Sequence, residues 1–258
     1  MKRSRRQFLK VASLSVLGLS AQLAGGAIVS AAEAPAYQPN EGGLKAGRWA
    51  MVIDTRGFET AADFEACIKA CHQYHNVPNI PNNQEVKWLW TDKYEYVFPD
   101  DVNEHLSESV RSRDYFVLCN HCENPPCVRV CPTKATYKKP DGIVTMDYHR
   151  CIGCRFCMAG CPYGARSFNF ANPRRYLDMG AINAEYPTRM MGVVEKCTFC
   201  VERLAKGQLP LCVEASEGRI LFGDLSDPES EVRKALAENF TIRRKPSLGT
   251  QPGVYYII

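Results

Sequence analysis

The sequence is short of most features that mark an enzyme or a membrane-embedded protein. Beyond the N-terminal stretch, no apolar run is long enough to span a bilayer. No nucleophile–base pair, phosphate-binding loop or open metal site can be picked out, which argues against a stand-alone enzyme. Charge is also scarce. The formal net charge is +4, but Lys2, Arg3, Arg5, Arg6 and Lys10 lie in an acid-free stretch of 32 residues, and removing that stretch takes the charge to −1. A near-neutral remainder gives no reason to expect nucleic acid as a partner. What is abundant is cysteine, 13 in 258 residues. The number is odd, so complete internal disulfide pairing is impossible, and the cysteines fall in groups at short, fixed spacings. With 45% hydrophobic residues, the chain can bury a core and fits one or two domains.

Ser4-Arg5-Arg6-Gln7-Phe8-Leu9-Lys10 matches each position of the S-R-R-x-F-L-K pattern of twin-arginine export signals. A weakly apolar segment, Val11 to Val29, follows, interrupted by Ser13, Ser15, Gly18, Ser20, Gln22, Gly25 and Gly26, and small residues offer cleavage after Ala31, Ala32 or Ala34. A permanent anchor is the alternative reading, and these polar and small residues weaken it. Residues 1–32 are therefore read as a signal peptide, which places the mature chain on the extracytoplasmic (periplasmic) side. The twin-arginine resemblance implies export of a folded chain. Cysteines committed to metal before export would escape the disulfide chemistry expected outside the cytoplasm.

The cysteines carry the chemistry. One group is Cys119-x2-Cys122-x4-Cys127-x3-Cys131-Pro132. The next, Cys151-x2-Cys154-x2-Cys157-x3-Cys161-Pro162, follows the bacterial ferredoxin run without a departure. In such runs the first three thiolates hold one cubane while the fourth reaches across to another. Two 4Fe–4S clusters follow: cluster A on Cys119, Cys122, Cys127 and Cys161, and cluster B on Cys151, Cys154, Cys157 and Cys131. Tetrahedral zinc also uses C-x2-C pairs, but from two separate pairs rather than runs of four. Two partial groups remain, Cys67-x3-Cys71 and Cys197-x2-Cys200-x11-Cys212. Cys67-Ile68-Lys69-Ala70-Cys71-His72 is one residue longer than the haem c attachment signature, and covalent haem attachment to unfolded chains conflicts with folded export.

With these groups in place, the chain resembles the four-cluster electron-transfer subunits of membrane-associated oxidoreductases, including those of polysulfide, tetrathionate, dimethyl sulfoxide and formate-linked nitrite reduction systems. The resemblance spans about residues 47–258 and includes Trp49 to Asp54, Asn76-Val77-Pro78, Lys196-Cys197-Thr198-Phe199-Cys200, Gly223-Asp224-Leu225, Asp227-Pro228, Leu248-Gly249-Thr250 and Val254-Tyr255-Tyr256. The family pattern has cysteines where this chain has Ala61, Phe64 and Ser216. By the crossover rule all three losses fall on one cubane, an outcome chance would give only about 3% of the time. The resemblance thus implies three clusters, the third (cluster C) on Cys197, Cys200, Cys212 and Cys71, with Cys67 a leftover thiol. That pattern of loss, joined to the export signal, looks most like the DsrO type, the extracytoplasmic iron–sulfur subunits of DsrMKJOP complexes in sulfur metabolism. This implies an NrfD-like integral membrane quinone-interacting subunit, a multihaem cytochrome c and other complex subunits as partners, and membrane association through them. A relay for a molybdopterin-dependent polysulfide or tetrathionate-type reductase is the rival reading.

The expected fold is α+β and loop-rich, with tandem ferredoxin-like bis-cluster modules and one of the family's four clusters lost. A central module covers 115–178, and a flanking one is assembled from 47–114 and 187–258. Strands are expected at Trp49–Asp54, Val86–Thr91, Tyr94–Phe98 and Tyr115–Leu118, a helix at Ala61–His75, and a hairpin over Thr136–Asp147 that turns at Pro140-Asp141-Gly142. A helix capped by Asp227 should run from Pro228 to Glu238, and Gly249–Ile258 should form an extended tail. His72, His75 and His121 read as partly exposed loop residues. Lys134, Lys138, Lys139, Arg155, Arg166, Arg174 and Arg175 could offset cluster negative charge or dock a partner, and most of them read as a solvated basic face. Trp88, Trp90, Tyr94, Tyr96 and Phe98 read as a core ribbon. Replacing Arg5 and Arg6 together by Lys keeps the charge but removes the side chains that the twin-arginine system reads. The variant is expected to stay in the cytoplasm on cell fractionation, and normal export would refute the reading of residues 1–32.

Overall fold

The computed structural model describes residues 40–258, so the expected signal segment lies outside the described residues. In chain order the strands are β1 (Trp49–Asp54), β2 (Leu89–Lys93), β3 (Asp114–Leu118), β4 (Thr136–Lys138), β5 (Val144–Met146), β6 (Ser167–Phe168), β7 (Val194–Glu195), β8 (Ile220–Asp224), β9 (Thr241–Ile242) and β10 (Val254–Ile257). The helices are α1 (Ala61–Tyr74), α2 (Tyr94–Val97), α3 (Glu108–Ser112), α4 (Pro126–Arg129), α5 (Phe156–Ala159), α6 (Val201–Leu204), α7 (Leu211–Glu214) and α8 (Glu231–Glu238). Most are a single turn, and long connections carry the chain between them. Among the described residues no helix is long and apolar enough to cross a membrane.

β1 is an unbroken apolar run because both its faces are covered. Trp49, Met51 and Ile53 enter the main core with Ile220, Val254 and Tyr256, while Ala50 and Val52 pack with Ile257 under Val232 and Ala235 of α8. The sheet order is β8-β1-β10-β9; β1 is parallel to β10 and antiparallel to β8, with Met51 opposite Val254 and Ile53 opposite Ile220. The expected extended tail is therefore a central strand, supplied by Val254–Ile257. The phenol of Tyr256 donates to the carbonyl of Phe116 at 3.0 Å and so ties this sheet to the β2–β3 pair.

Three further expectations are corrected. Tyr94–Val97 is a helical turn, not a strand: Tyr94, Val97 and Phe98 are buried while Tyr96 is 63% exposed, an i, i+3, i+4 pattern. The expected Val86–Thr91 strand starts at Leu89. The last helix begins at Glu231, since Asp227 closes a turn by accepting from the Glu229 amide and Ser230 is the residue that caps, accepting from the Arg233 amide. The hairpin forms as expected, β4 antiparallel to β5, with Gly142 at φ +84° in its turn, a conformation that favours glycine. β2 with β3 and β6 with β7 join segments expected in different modules, and residues 40–258 make one compact unit.

Candidate metal centres

Three of the four C-x2-C steps, those beginning at Cys119, Cys151 and Cys197, share one backbone device. The residue before the second cysteine is left-handed in each: His121 at φ +40°, Gly153 at +72° and Phe199 at +55°. Reversing the chain there turns successive thiols toward one side of the loop. At Gly153 a side chain is also excluded by space, because a Cβ would lie 2.5 Å from the Gly192 carbonyl oxygen. Each loop then runs into a one-turn helix. Cys127 lies in α4 and Cys157 in α5, and these two helices pack together; Cys71 in α1 and Cys212 in α7 are brought together in the same way.

Cys119, Cys122, Cys127 and Cys161 line one small cavity with Pro125, Tyr163 and Arg166. Cys131, Cys151, Cys154 and Cys157 line a second, with Thr136 and Met146 in its wall. Cys71, Cys197, Cys200 and Cys212 are all buried. Burial first, then the neighbouring Cys200, Cys197 and Cys212 thiols, pushes Cys71 well above the ordinary thiol range. Burial likewise drives Cys122 and Cys197 up to about 12. Such thiols stay neutral unless cationic metal favours the thiolate. The donor set therefore fits 4Fe–4S clusters, with sulfur in fours, enclosed except at the exposed Cys154, and touched by backbone donors. The Thr136 amide lies 3.5 Å from Cys131 Sγ, and the Phe199 amide 3.5 Å from Cys197 Sγ. Buried nitrogens without a protein partner, among them Arg166 Nη2, Asn120 Nδ2 and His121 Nε2, belong to residues in these walls and loops.

The second and fourth groups touch. The His121 ring stacks on Phe199 with centroids 3.7 Å apart and 16° between planes, and the Cys119 thiol is the next influence after burial on Cys197. At the far side of the second cavity Cys154 is exposed, flanked by Ile152 at 68% and Phe156 at 60% exposure.

The first group is different. Cys67 is fully buried, one turn before Cys71 on the inner face of α1, and burial pushes its thiol up to about 11. The family's other ligand positions hold no donor set. Ala61 is exposed at the start of α1. Phe64 packs against Phe58 and Phe116, with ring centroids 5.2 and 4.8 Å away. Ser216 donates its hydroxyl to the Val213 carbonyl at 2.7 Å and accepts from the Ile220 amide at 2.9 Å, so its oxygen is spent on the backbone. Arg219 closes the region: it lies 4.8 Å over the Phe58 ring and donates to Asp63 Oδ1 at 2.5 Å. That guanidinium holds the Asp63 carboxyl well below its usual range.

The polar residues near the cysteines are less exposed than the sequence suggests. His75 and His121 are buried and His72 is half-buried, because all three lie inside packed loops or on the inner side of α1. His75 Nε2 lies 2.9 Å from Glu202 Oε1, Nδ1 lies 2.8 Å from the Cys71 carbonyl, and its ring stacks on Trp88. His75, Cys200 and Glu202 form a potential donor cluster, and each atom already has a role in or beside the cysteine loops. Arg166 is 4% exposed rather than part of a solvated face. Lys196 is buried completely, donating to the Val144 carbonyl and, at 2.7 Å, to the Cys197 carbonyl. Sequence reasoning gave Lys196 and Glu202 no role. Their one sequence signal is adjacency to Cys197 and Cys200, and adjacency does not distinguish a buried charge from a solvated one. In the aromatic ribbon, Trp88, Tyr94 and Phe98 are core and Tyr96 is not.

A family model described as a 4Fe-4S dicluster domain matches residues 114–175. The chain is 42% identical over 233 residues to the Hdr-like menaquinol oxidoreductase iron-sulfur subunit 1 of Archaeoglobus fulgidus, covering 81% of this chain and 82% of that protein. It is 35% identical to a tetrathionate reductase subunit of Salmonella typhimurium over 100% of this chain and 89% of the relative. It is also 35% identical to the menaquinone reductase iron-sulfur cluster-binding subunit of Nitratidesulfovibrio vulgaris, over 81% and 88%.

Proposed function

The chain belongs to the 4Fe–4S dicluster family of electron-transfer subunits of membrane-bound oxidoreductases, and within it we propose a three-cluster relay of the DsrO type. Its ligand sets are Cys119, Cys122, Cys127 and Cys161 for cluster A; Cys131, Cys151, Cys154 and Cys157 for cluster B; and Cys71, Cys197, Cys200 and Cys212 for cluster C. The observation that carries this reading is the contrast between regions: three sets of four cysteines converge, whereas the fourth is packed with aromatic rings and a hydroxyl bonded to backbone. A hydroxyl and one thiol cannot hold four irons. Electrons pass one at a time through B, A and C, with the exposed Cys154 edge of B as one end. The chain's own residues hold, insulate and orient the clusters, and none of them performs bond chemistry. Cubane potentials span roughly −700 to +450 mV, so the direction of flow is set by the partners.

The proposed partners are an NrfD-like quinone-interacting membrane subunit and a multihaem cytochrome c, on the extracytoplasmic side after twin-arginine export. The quinol-linked names of the Archaeoglobus and Nitratidesulfovibrio relatives support this choice. The tetrathionate reductase relative supports the second reading, a relay for a molybdopterin-dependent reductase. Isolating the native complex separates them. The DsrO reading expects a cytochrome c and an integral quinone-interacting subunit to copurify; a molybdopterin subunit in their place would overturn it. Within the chain, Cys71→Ser is expected to damage or remove one cluster, while Cys67→Ser leaves the EPR spectrum of the reduced protein unchanged. The reverse outcome would exchange the roles of these two cysteines and break the assignment of cluster C.

A further inference from the structure

Among the described residues, buried cations fall into two kinds: those whose donors reach carboxylate or backbone carbonyl oxygens, such as Arg189, Lys196 and Arg244, and one left with an idle donor. Arg189 is of the ordinary kind: fully inside, its Nε lies 2.7 Å from Glu195 Oε2, and its other nitrogens reach backbone carbonyls. Arg166 is of the other kind. It is equally inaccessible, yet among the described residues its side-chain partners are the Thr136 hydroxyl at 3.1 Å and the Met146 sulfur at 3.2 Å, both neutral and both contacted through Nη1. Nη2 is buried with no partner. A desolvated cation without an anion, and with an idle donor, is strongly destabilising unless something anionic lies beside it.

The position identifies that anion. Arg166 lines the cavity of Cys119, Cys122, Cys127 and Cys161. The two groups its Nη1 touches, Thr136 and Met146, line the cavity of Cys131, Cys151, Cys154 and Cys157. We propose that Arg166 is the shared counter-charge of clusters A and B, standing in the wall between them, donating Nη2–H to cluster sulfur and raising both reduction potentials together. The inference rests on the ligand sets proposed above.

The physical effect follows from charge alone. Each cluster takes up one electron, from dithionite in a titration, and no bond forms or breaks. The reduced form carries one more negative charge, so a fixed cation and an N–H donor to sulfur favour it. Because Arg166 lines the first cavity and contacts Thr136 and Met146 in the wall of the second, its removal is expected to act on A and B and to leave C, whose cysteines share neither cavity, little affected.

The test is an EPR-monitored redox titration of the whole chain with Arg166→Gln and Arg166→Lys, the signal lost in Cys71→Ser identifying C. In Arg166→Gln the reduction equilibria of A and B are expected to fall tenfold or more, equivalent to about 59 mV per tenfold for one electron, with C within about twofold of the unmutated protein. Arg166→Lys keeps the charge but loses the planar fork, so a smaller, severalfold fall in the same two clusters is expected; this variant decides the matter if the Gln variant does not assemble. A and B unmoved in a variant that retains its iron, or C falling as far as they do, would overturn the assignment. If the unmutated chain lacked signals from A and B, the ligand sets themselves would be wrong, and that failure is distinct from unmoved potentials in intact clusters.

Discussion

A thiolate cannot be kept out of water without positive charge to hold it, and this chain gathers twelve cysteines into three sets that are largely buried. The rest of the structure answers to that requirement. Helices α4 to α7 are each a single turn, too short to be stable by their own hydrogen bonds; α4, α5 and α7 carry Cys127, Cys157 and Cys212 and α6 follows directly on Cys200, so each is held where its cysteine meets cysteines from another part of the chain. The left-handed residues His121 and Phe199 cost backbone energy, which glycine avoids at Gly153, and they are retained because they aim thiols. The four-stranded sheet and the aromatic core around Trp88, Phe98, Tyr115 and Tyr256 supply the conventional stability against which this strain is balanced.

On the proposed three-cluster reading, the region around Ala61, Phe64 and Ser216 is where the fold orders itself without metal. α1 still packs on α7, and Cys67 still faces inward at the family's position. The cohesion there comes from Phe58, Phe64 and Phe116, whose rings contact one another, and from the Arg219–Asp63 pair that joins the start of α1 to the approach to β8. Apolar packing replaces coordination as the source of order. On this account the relay runs B, A, C, and the end beyond C is insulated by aromatic rings.

The cysteine sets could be proposed from the sequence because ligand spacing is a local property, and local spacing survives without knowledge of the fold. β1, β3, the hairpin and α1 were readable for the same reason: each carries its own pattern within a few residues. The central place of β10 was not readable, since Val254–Ile257 pairs with a strand some two hundred residues earlier and nothing in its own composition names that partner. Tyr94–Phe98 failed because five residues with apolar positions at 94, 96, 97 and 98 satisfy both a strand and a helical period, and the buried choice was made by the surrounding core. Arg166, Lys196 and His121 were misjudged or overlooked for another reason. A polar residue in a loop is ordinarily solvated, and nothing local to Arg166, Lys196 or His121 marks it as buried beside the cysteine loops.

The central claim is that twelve cysteines hold three cubanes while the thirteenth, Cys67, holds none. The most direct measurement is the iron and acid-labile sulfide content of the intact, anaerobically purified chain. The account predicts about 12 irons and about 12 sulfides per chain, four of each per cubane. About 16 of each would contradict it, since a fourth cluster would then have to be completed in the region where Phe64 and Ser216 now pack.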